Sequence, residues 1–205
     1  GLRVAVAEQL EDPSAAKGMV ARDVVRVVTP GTVLEEELLS AKDNNFLAAV
    51  WPSPEKGGVG LVWGDMSTGE LRYTCFVDGD AGLSRLSDEL GRIEPRETLW
   101  PEGYVAPLGR TVTPVPLRNF MEEGLDRRAS SLFGSAGMEG FGLGVGHPAR
   151  PALAALLSYV EKNQSAALGA LRPPRSYNGD EFMLLDEGAI RRLDLLPEPG
   201  SRGAG

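Results

Sequence analysis

The stretch Val59-Gly60-Leu61-Val62-Trp63-Gly64-Asp65-Met66-Ser67-Thr68-Gly69-Glu70-Leu71-Arg72-Tyr73-Thr74-Cys75-Phe76-Val77 decides the fold. Val59, Leu61 and Trp63 recur at period two, and so do Leu71, Tyr73, Cys75 and Val77, so each run reads as a strand. Residues 65–69 between them are turn formers, with Gly69 free to take a positive φ. Asp65 accepts backbone N–H bonds in such a turn and fixes its shape. Working outward, the apolar run 45–50 ends at Trp51-Pro52-Ser53-Pro54 and supplies another strand. On the other side, 80–93 predicts a helix with Leu83, Leu86 and Leu90 as its buried stripe. Residues 98–100 read as a short strand ending at Pro101, and 111–115 as one more extended piece. Three strands in a row, then alternating helix and strand, predict an α/β domain built on a mixed sheet. The Leu83/Leu86/Leu90 stripe and a second one at Leu153, Leu156 and Leu157 each need a sheet face, so helices are expected on both.

A helix is also expected over 122–133, and the run 134–146, with six glycines, reads as a flexible connection. Pro151 then opens the strongest helix, with Leu153, Leu156, Leu157 and Val160 on one face. Upstream, 3–7 and 23–28 predict two strands around a short helix begun by Asp12-Pro13-Ser14. Thr29-Pro30-Gly31-Thr32 enforces a turn. Two strands bury no core alone, so this block is expected to belong to something larger, with Gly1 a cut rather than a natural start. Pro173-Pro174 breaks the chain. Beyond Ser176 the expectation is one extended piece, a short helix over 187–195 and a disordered end over 200–205.

Composition narrows the function. The 205 residues carry 21 Lys+Arg against 29 Asp+Glu, a net charge of −8, which is not the basic footprint of an autonomous phosphate-binding domain. No run approaches the roughly 18 apolar residues of a membrane span. Cys75 is the only cysteine, so no internal disulfide forms, and one Cys with one His cannot supply the four ligands of structural zinc. A Ser-His-Asp triad would have to use His147, in Gly146-His147-Pro148, which reads better as a loop histidine. No G-x-x-x-x-G-K-[ST] loop is present to cradle phosphates. Trp51, Trp63 and Trp100 lie on or at the ends of strands and read as core rather than as stacking platforms for bases.

Several motifs carry a resemblance. Val4-Ala5-Val6-Ala7-Glu8-Gln9, Asp12-Pro13, Lys17-Gly18 and the stretch R-D-V-V-R-V-V-T-P-G-T at 22–32 are followed by Leu38-Leu39 and Asn45-Phe46-Leu47-Ala48-Ala49. Then come Asp65-Met66-Ser67-Thr68-Gly69-Glu70, an A-x-L-L-x-Y-x-x-x-x-Q pattern at 154–164, Arg175-Ser176-Tyr177 and Met183-Leu184-Leu185. In this order and spacing they resemble the MutS DNA mismatch repair family, from Leu2 to about Leu196. Ile190-Arg191-Arg192-Leu193-Asp194 departs from the family's R-R-N-L-E form, with Arg192 in place of Asn.

The resemblance implies the end of a mismatch-recognition domain over 1–32, a linker over 33–44, a ribonuclease-H-like connector over 45–165, and the start of a core domain with a tail over 166–205. It implies no catalytic, metal or cofactor residue in this region. The Phe-x-Glu mismatch wedge would lie upstream, and the ATPase, with its ATP and magnesium, downstream. A connector relays ATP state between those ends. Thr29, Pro30 and Gly31 on one side and Pro173 and Pro174 on the other are the expected joints. Arg127 and Arg128, flanked by Glu122, Glu123 and Asp126, are the expected docking surface for a MutL-type partner. Mismatched duplex DNA would be bound through the parent, a bacterial cytoplasmic protein expected to dimerise. The competing reading is a stand-alone ribonuclease-H-like nuclease with Asp65 on a divalent metal. Two-metal chemistry needs several converging carboxylates, and the neighbouring elements supply only Glu97, Glu102 and Glu161.

Overall fold

The structure, a computed structural model, describes residues 4–9, 22–32, 45–53, 58–77, 79–106, 112–134 and 137–178. The helices expected near Asp12 and over 187–195, and the tail, lie outside the described residues.

The hairpin forms as the sequence predicts. Strand β4 (Gly58–Asp65) pairs antiparallel with β5 (Glu70–Phe76), and on its other side with β3 (Phe46–Ser53). Helix α1 (Gly79–Ile93) then returns the chain to β6 (Glu97–Pro101), which runs parallel to β3. The short β7 (Thr113–Val115) runs parallel to β6. Helix α2 (Leu125–Phe133) and the long α3 (Ala149–Leu168) follow. A two-residue strand β8 (Arg175–Ser176) closes the sheet, parallel to β5, giving the order β7-β6-β3-β4-β5-β8. Apart from this sheet, β1 (Val4–Gln9) and β2 (Arg22–Val28) form an antiparallel ribbon with a bulge between Val6 and Ala7.

Because side chains alternate across a strand, the sheet carries two cores. Leu47, Ala49, Val62, Leu71 and Tyr73 meet Leu153, Leu156, Leu157 and Val160 of α3 on one face. Ala48, Val50, Val59, Leu61 and Trp63 meet Leu86, Leu90 and Ile93 of α1 on the other. The two stripes of the hairpin therefore point to opposite sides. Gly60 lies across from Cys75 and Gly64 across from Leu71, so the α3 face of β4 is cut back where the helix approaches. The α1 stripe is shifted from its expected position: Leu83 is 41% exposed, and the buried set is Leu86, Leu90 and Ile93. In the first turn the residue against the sheet is the buried Gly82, whose added Cβ would stand 3.4 Å from the Phe76 carbonyl, and Leu83 is left to the side.

The glycine-rich run is another correction. Far from being a loose connection, its described part straps across the α3 face with Met138 and Leu143 fully buried. Phe141 packs edge-on against Phe133, and its carbonyl accepts a 2.6 Å hydrogen bond from the Tyr73 hydroxyl. The glycines permit close backbone approach and turns; they do not prevent order. Trp63 and Trp100 are core side chains, while Trp51 is half-buried beside Phe120, with ring centroids 5.3 Å apart.

Candidate functional site: the rim of the sheet and the arginine helix

Asp65 ends β4 and is committed to the turn. Its Oδ1 accepts the Ser67 N–H at 2.8 Å and the Ser67 hydroxyl at 2.6 Å, while its carbonyl accepts the Gly69 N–H at 2.8 Å. Gly69 has φ +74°, and a Cβ there would lie 1.9 Å from the Ala170 carbonyl oxygen. Only glycine fits, on both grounds. Among the described residues no group of three or more His, Cys, Asp or Glu side chains is arranged to hold a metal ion. Glu102 is exposed, and Glu161 is an exposed partner of Arg128.

Glu97, by contrast, is buried at the start of β6, and three distant segments converge on it. Its Oε1 accepts from the Thr113 hydroxyl at 2.9 Å and the Tyr159 hydroxyl at 2.7 Å; its Oε2 accepts the Gly31 N–H at 3.2 Å. The incoming turn is itself closed: the Thr32 N–H donates to the Thr29 carbonyl at 3.0 Å, and the Thr29 N–H to the Thr32 hydroxyl at 3.0 Å. Thr29, Gly31 and Thr32 are buried and Pro30 is half-buried. The outgoing segment is fastened as well, near the same end of the sheet. The Arg172 N–H donates to the Gly69 carbonyl and the Tyr177 N–H to the Tyr73 carbonyl, each at 2.8 Å, with Pro174 buried and Pro173 exposed. Motion about either of the two expected joints would have to break these bonds first.

The two arginines of α2 part company. Arg127 is exposed, whereas Arg128 is half-buried, donating to the Ser158 hydroxyl at 3.1 Å and pairing with Glu161 at 3.1 Å. Beside them a shallow groove of about 240 Å³ is lined by Arg118, Met121, Glu123, Leu125, Arg128 and Ser158. Leu117 and Met121, 47% and 63% exposed, add apolar surface to the same region. Sequence reasoning missed Arg150, in the first turn of α3. Its buried guanidinium pairs with Glu122 and with Asp126 (2.8 Å) and donates to the Leu143 carbonyl at 2.7 Å. The only signal was a cation just ahead of the apolar run 151–157. Hydrogen bonds from Arg150 and then from the Met138 N–H hold the Asp126 carboxyl below its ordinary range.

His147 and Cys75 make no nucleophilic pair. The imidazole Nδ1 accepts the Ala149 N–H at 3.2 Å and Nε2 stands 4.0 Å from the thiol sulfur, so the ring proton belongs on Nε2. Burial pushes the thiol pKa up; burial, with the charge of Arg150 second, pushes the imidazole pKa down. Both shifts favour neutral forms, the opposite of an activated thiolate. No helix among the described residues is long and apolar enough to cross a membrane.

Comparison with known proteins decides the lineage. The family model for MutS domain II matches residues 45–172, and that for MutS domain I matches residues 1–37. The chain belongs to the MutS family. The DNA mismatch repair protein MutS of Symbiobacterium thermophilum is 40% identical over 216 residues, covering 99% of this chain and 24% of that protein. MutS of Methanothrix thermoacetophila is 38% identical, covering 96% of the chain and 21% of the relative. MutS of Syntrophomonas wolfei is 36% identical, with 95% and 24% covered. The chain thus spans about a quarter of the length of these MutS relatives.

Proposed function

We propose that this chain is the connector region of a MutS-type DNA mismatch repair ATPase, relaying ATP-state changes between mismatch recognition and the core while offering a docking surface to a MutL-type partner. The observation that carries the reading is the fastening of both incoming and outgoing segments near one end of a single sheet with two buried faces. A push on either segment is delivered to one stiff body, which coupling between distant sites requires. Three antiparallel strands followed by two parallel ones, in the order β5-β4-β3-β6-β7, support a ribonuclease-H-like reading of residues 45–165. The carboxylates a nuclease would use are committed elsewhere: Asp65 to its turn and Glu97 to the rim. Mismatched DNA, ATP and dimer formation belong, in this reading, to the longer protein.

The docking surface is the α2 region, where Arg127 and Arg118 are exposed beside Leu117 and Met121. Arg128 contributes indirectly, by holding α2 to α3. In a full-length MutS-type protein carrying this region, Arg127→Glu is expected to weaken MutL binding about tenfold, the scale of one charge pair at a docking surface. An exposed arginine tolerates replacement within about 0.5 kcal/mol, so the fold should be untouched. Surface plasmon resonance against MutL reads the loss. Unchanged affinity in Arg127→Glu would remove α2 from the docking surface.

A further inference from the structure

Glu97 does something the connector reading alone does not require. A carboxylate in the core of an α/β domain is costly unless its oxygens are satisfied. Here the two oxygens divide the work. Oε1 is held within the domain by Thr113 of β7 and Tyr159 of α3, while Oε2 accepts the backbone N–H of Gly31 in the incoming turn. The seat is tight: a Cβ at Gly31 would stand 2.9 Å from Leu47 Cδ1 and 3.0 Å from Glu97 Cβ. Both hydroxyl donors belong to the domain itself, and the turn adds a charge-assisted bond.

We propose that Glu97 is a releasable latch, pinning the incoming turn to the sheet and to α3 in one arrangement of the protein and letting it go in another. This rests on the connector reading, and it names the place where the relay engages. The domain keeps its own bonds when the turn lifts, because Thr113 and Tyr159 still satisfy the carboxylate. Helix α3 is the member that shares both joints. Tyr159 holds Glu97, and beyond a break in helical geometry at Gln164 (φ −154°, ψ 70°) the chain passes to Ala170, which abuts Gly69 beside the outgoing segment. A latch at Glu97 therefore bears on the helix that reaches the other joint.

Amide hydrogen exchange on the 205-residue chain tests this without ATP, DNA or MutL, so its outcome is separate from that of the Arg127 experiment. Gly31→Ala crowds the turn against Leu47 and Glu97 without removing any group from the sheet. It is expected to speed exchange at the substituted position and at Thr32 by about tenfold or more, the effect of losing one hydrogen bond to a charged group. The amides of Leu47, Val50, Leu61 and Val62 should keep their protection. Glu97→Ala should release the same two amides, together with a general loss of stability, since it also removes the acceptor that the Thr113 and Tyr159 hydroxyls share. With both substitutions present, release at the turn should be no greater than in Glu97→Ala alone. Exchange that rises equally along the sheet in Gly31→Ala, or fails to rise at the turn, overturns the latch.

Discussion

Gly60→Ala is expected to destabilise the chain by about 3 kcal/mol, at the upper end of what overpacking costs. The position lies within β4, where the start of α3 crosses the sheet. An added methyl would stand 2.0 Å from the Pro148 carbonyl oxygen, 2.4 Å from its carbon and 2.7 Å from the Ala149 Cα. All three are backbone atoms, so no rotamer change relieves the clash and the helix must retreat. The retreat would also pull Arg150 from its carboxylates. Gly144→Ala is the control: nothing lies within 4 Å of a Cβ there, and the change should stay within about 0.5 kcal/mol. Urea denaturation of the two variants reads the difference, and equal midpoints would mean that α3 does not sit where it is described.

Arg150→Met carries the second large effect, about 2–3 kcal/mol. Breaking a buried ion pair costs more when the abandoned partners stay buried; here the Asp126 and Glu122 side chains are 50% and 33% exposed, which keeps the cost at the lower end. The loss should be local first, because Arg150 joins α2, α3 and the glycine-rich strap through Leu143. Protection of the Leu143 amide should fall before that of β4. The sign with pH follows from Asp126, whose folded pKa lies below its ordinary value of 3.8. Its stabilisation is present at neutral pH and is lost as pH falls below that value through the depressed folded pKa. In Arg150→Met the carboxyl should titrate nearer its ordinary value, and the acid-induced loss should shrink. An Asp126 titration unchanged by the substitution would contradict the assignment.

The hairpin, the mixed sheet and the helix on each face were legible because alternation and helical periodicity are local signals. The family was legible from ordered motifs. Leu83 misled because periodicity gives the stripe of a helix but not where along its length the sheet begins; Gly82 settled that. The strap over 137–146 was hidden because glycine content reports what a backbone can do, while the burial of Met138 and Leu143 depends on a sheet face far away in the sequence. Arg150 and Glu97 were hidden for a related reason. Each gathers partners from three segments, and Glu97 reads in isolation as one more carboxylate. Asp65 needed no tertiary information, since Ser67 and Gly69 supply its partners within five residues.

A relay of this kind requires residues 45–165 to move as one body between two joints. Spin-label distances in a full-length MutS-type protein carrying this region, in a Cys75→Ser background, read that motion. Labels at the exposed Ser84 of α1 and Ser165 of α3 report on the interior of the connector; labels at Val24 of the ribbon and Ser84 report across the incoming joint. On adding ATP, the Ser84–Ser165 distance should stay unchanged and the Val24–Ser84 distance should shift. A Ser84–Ser165 distance that shifts as much as the other, or a joint that stays fixed in both states, would contradict a rigid relay.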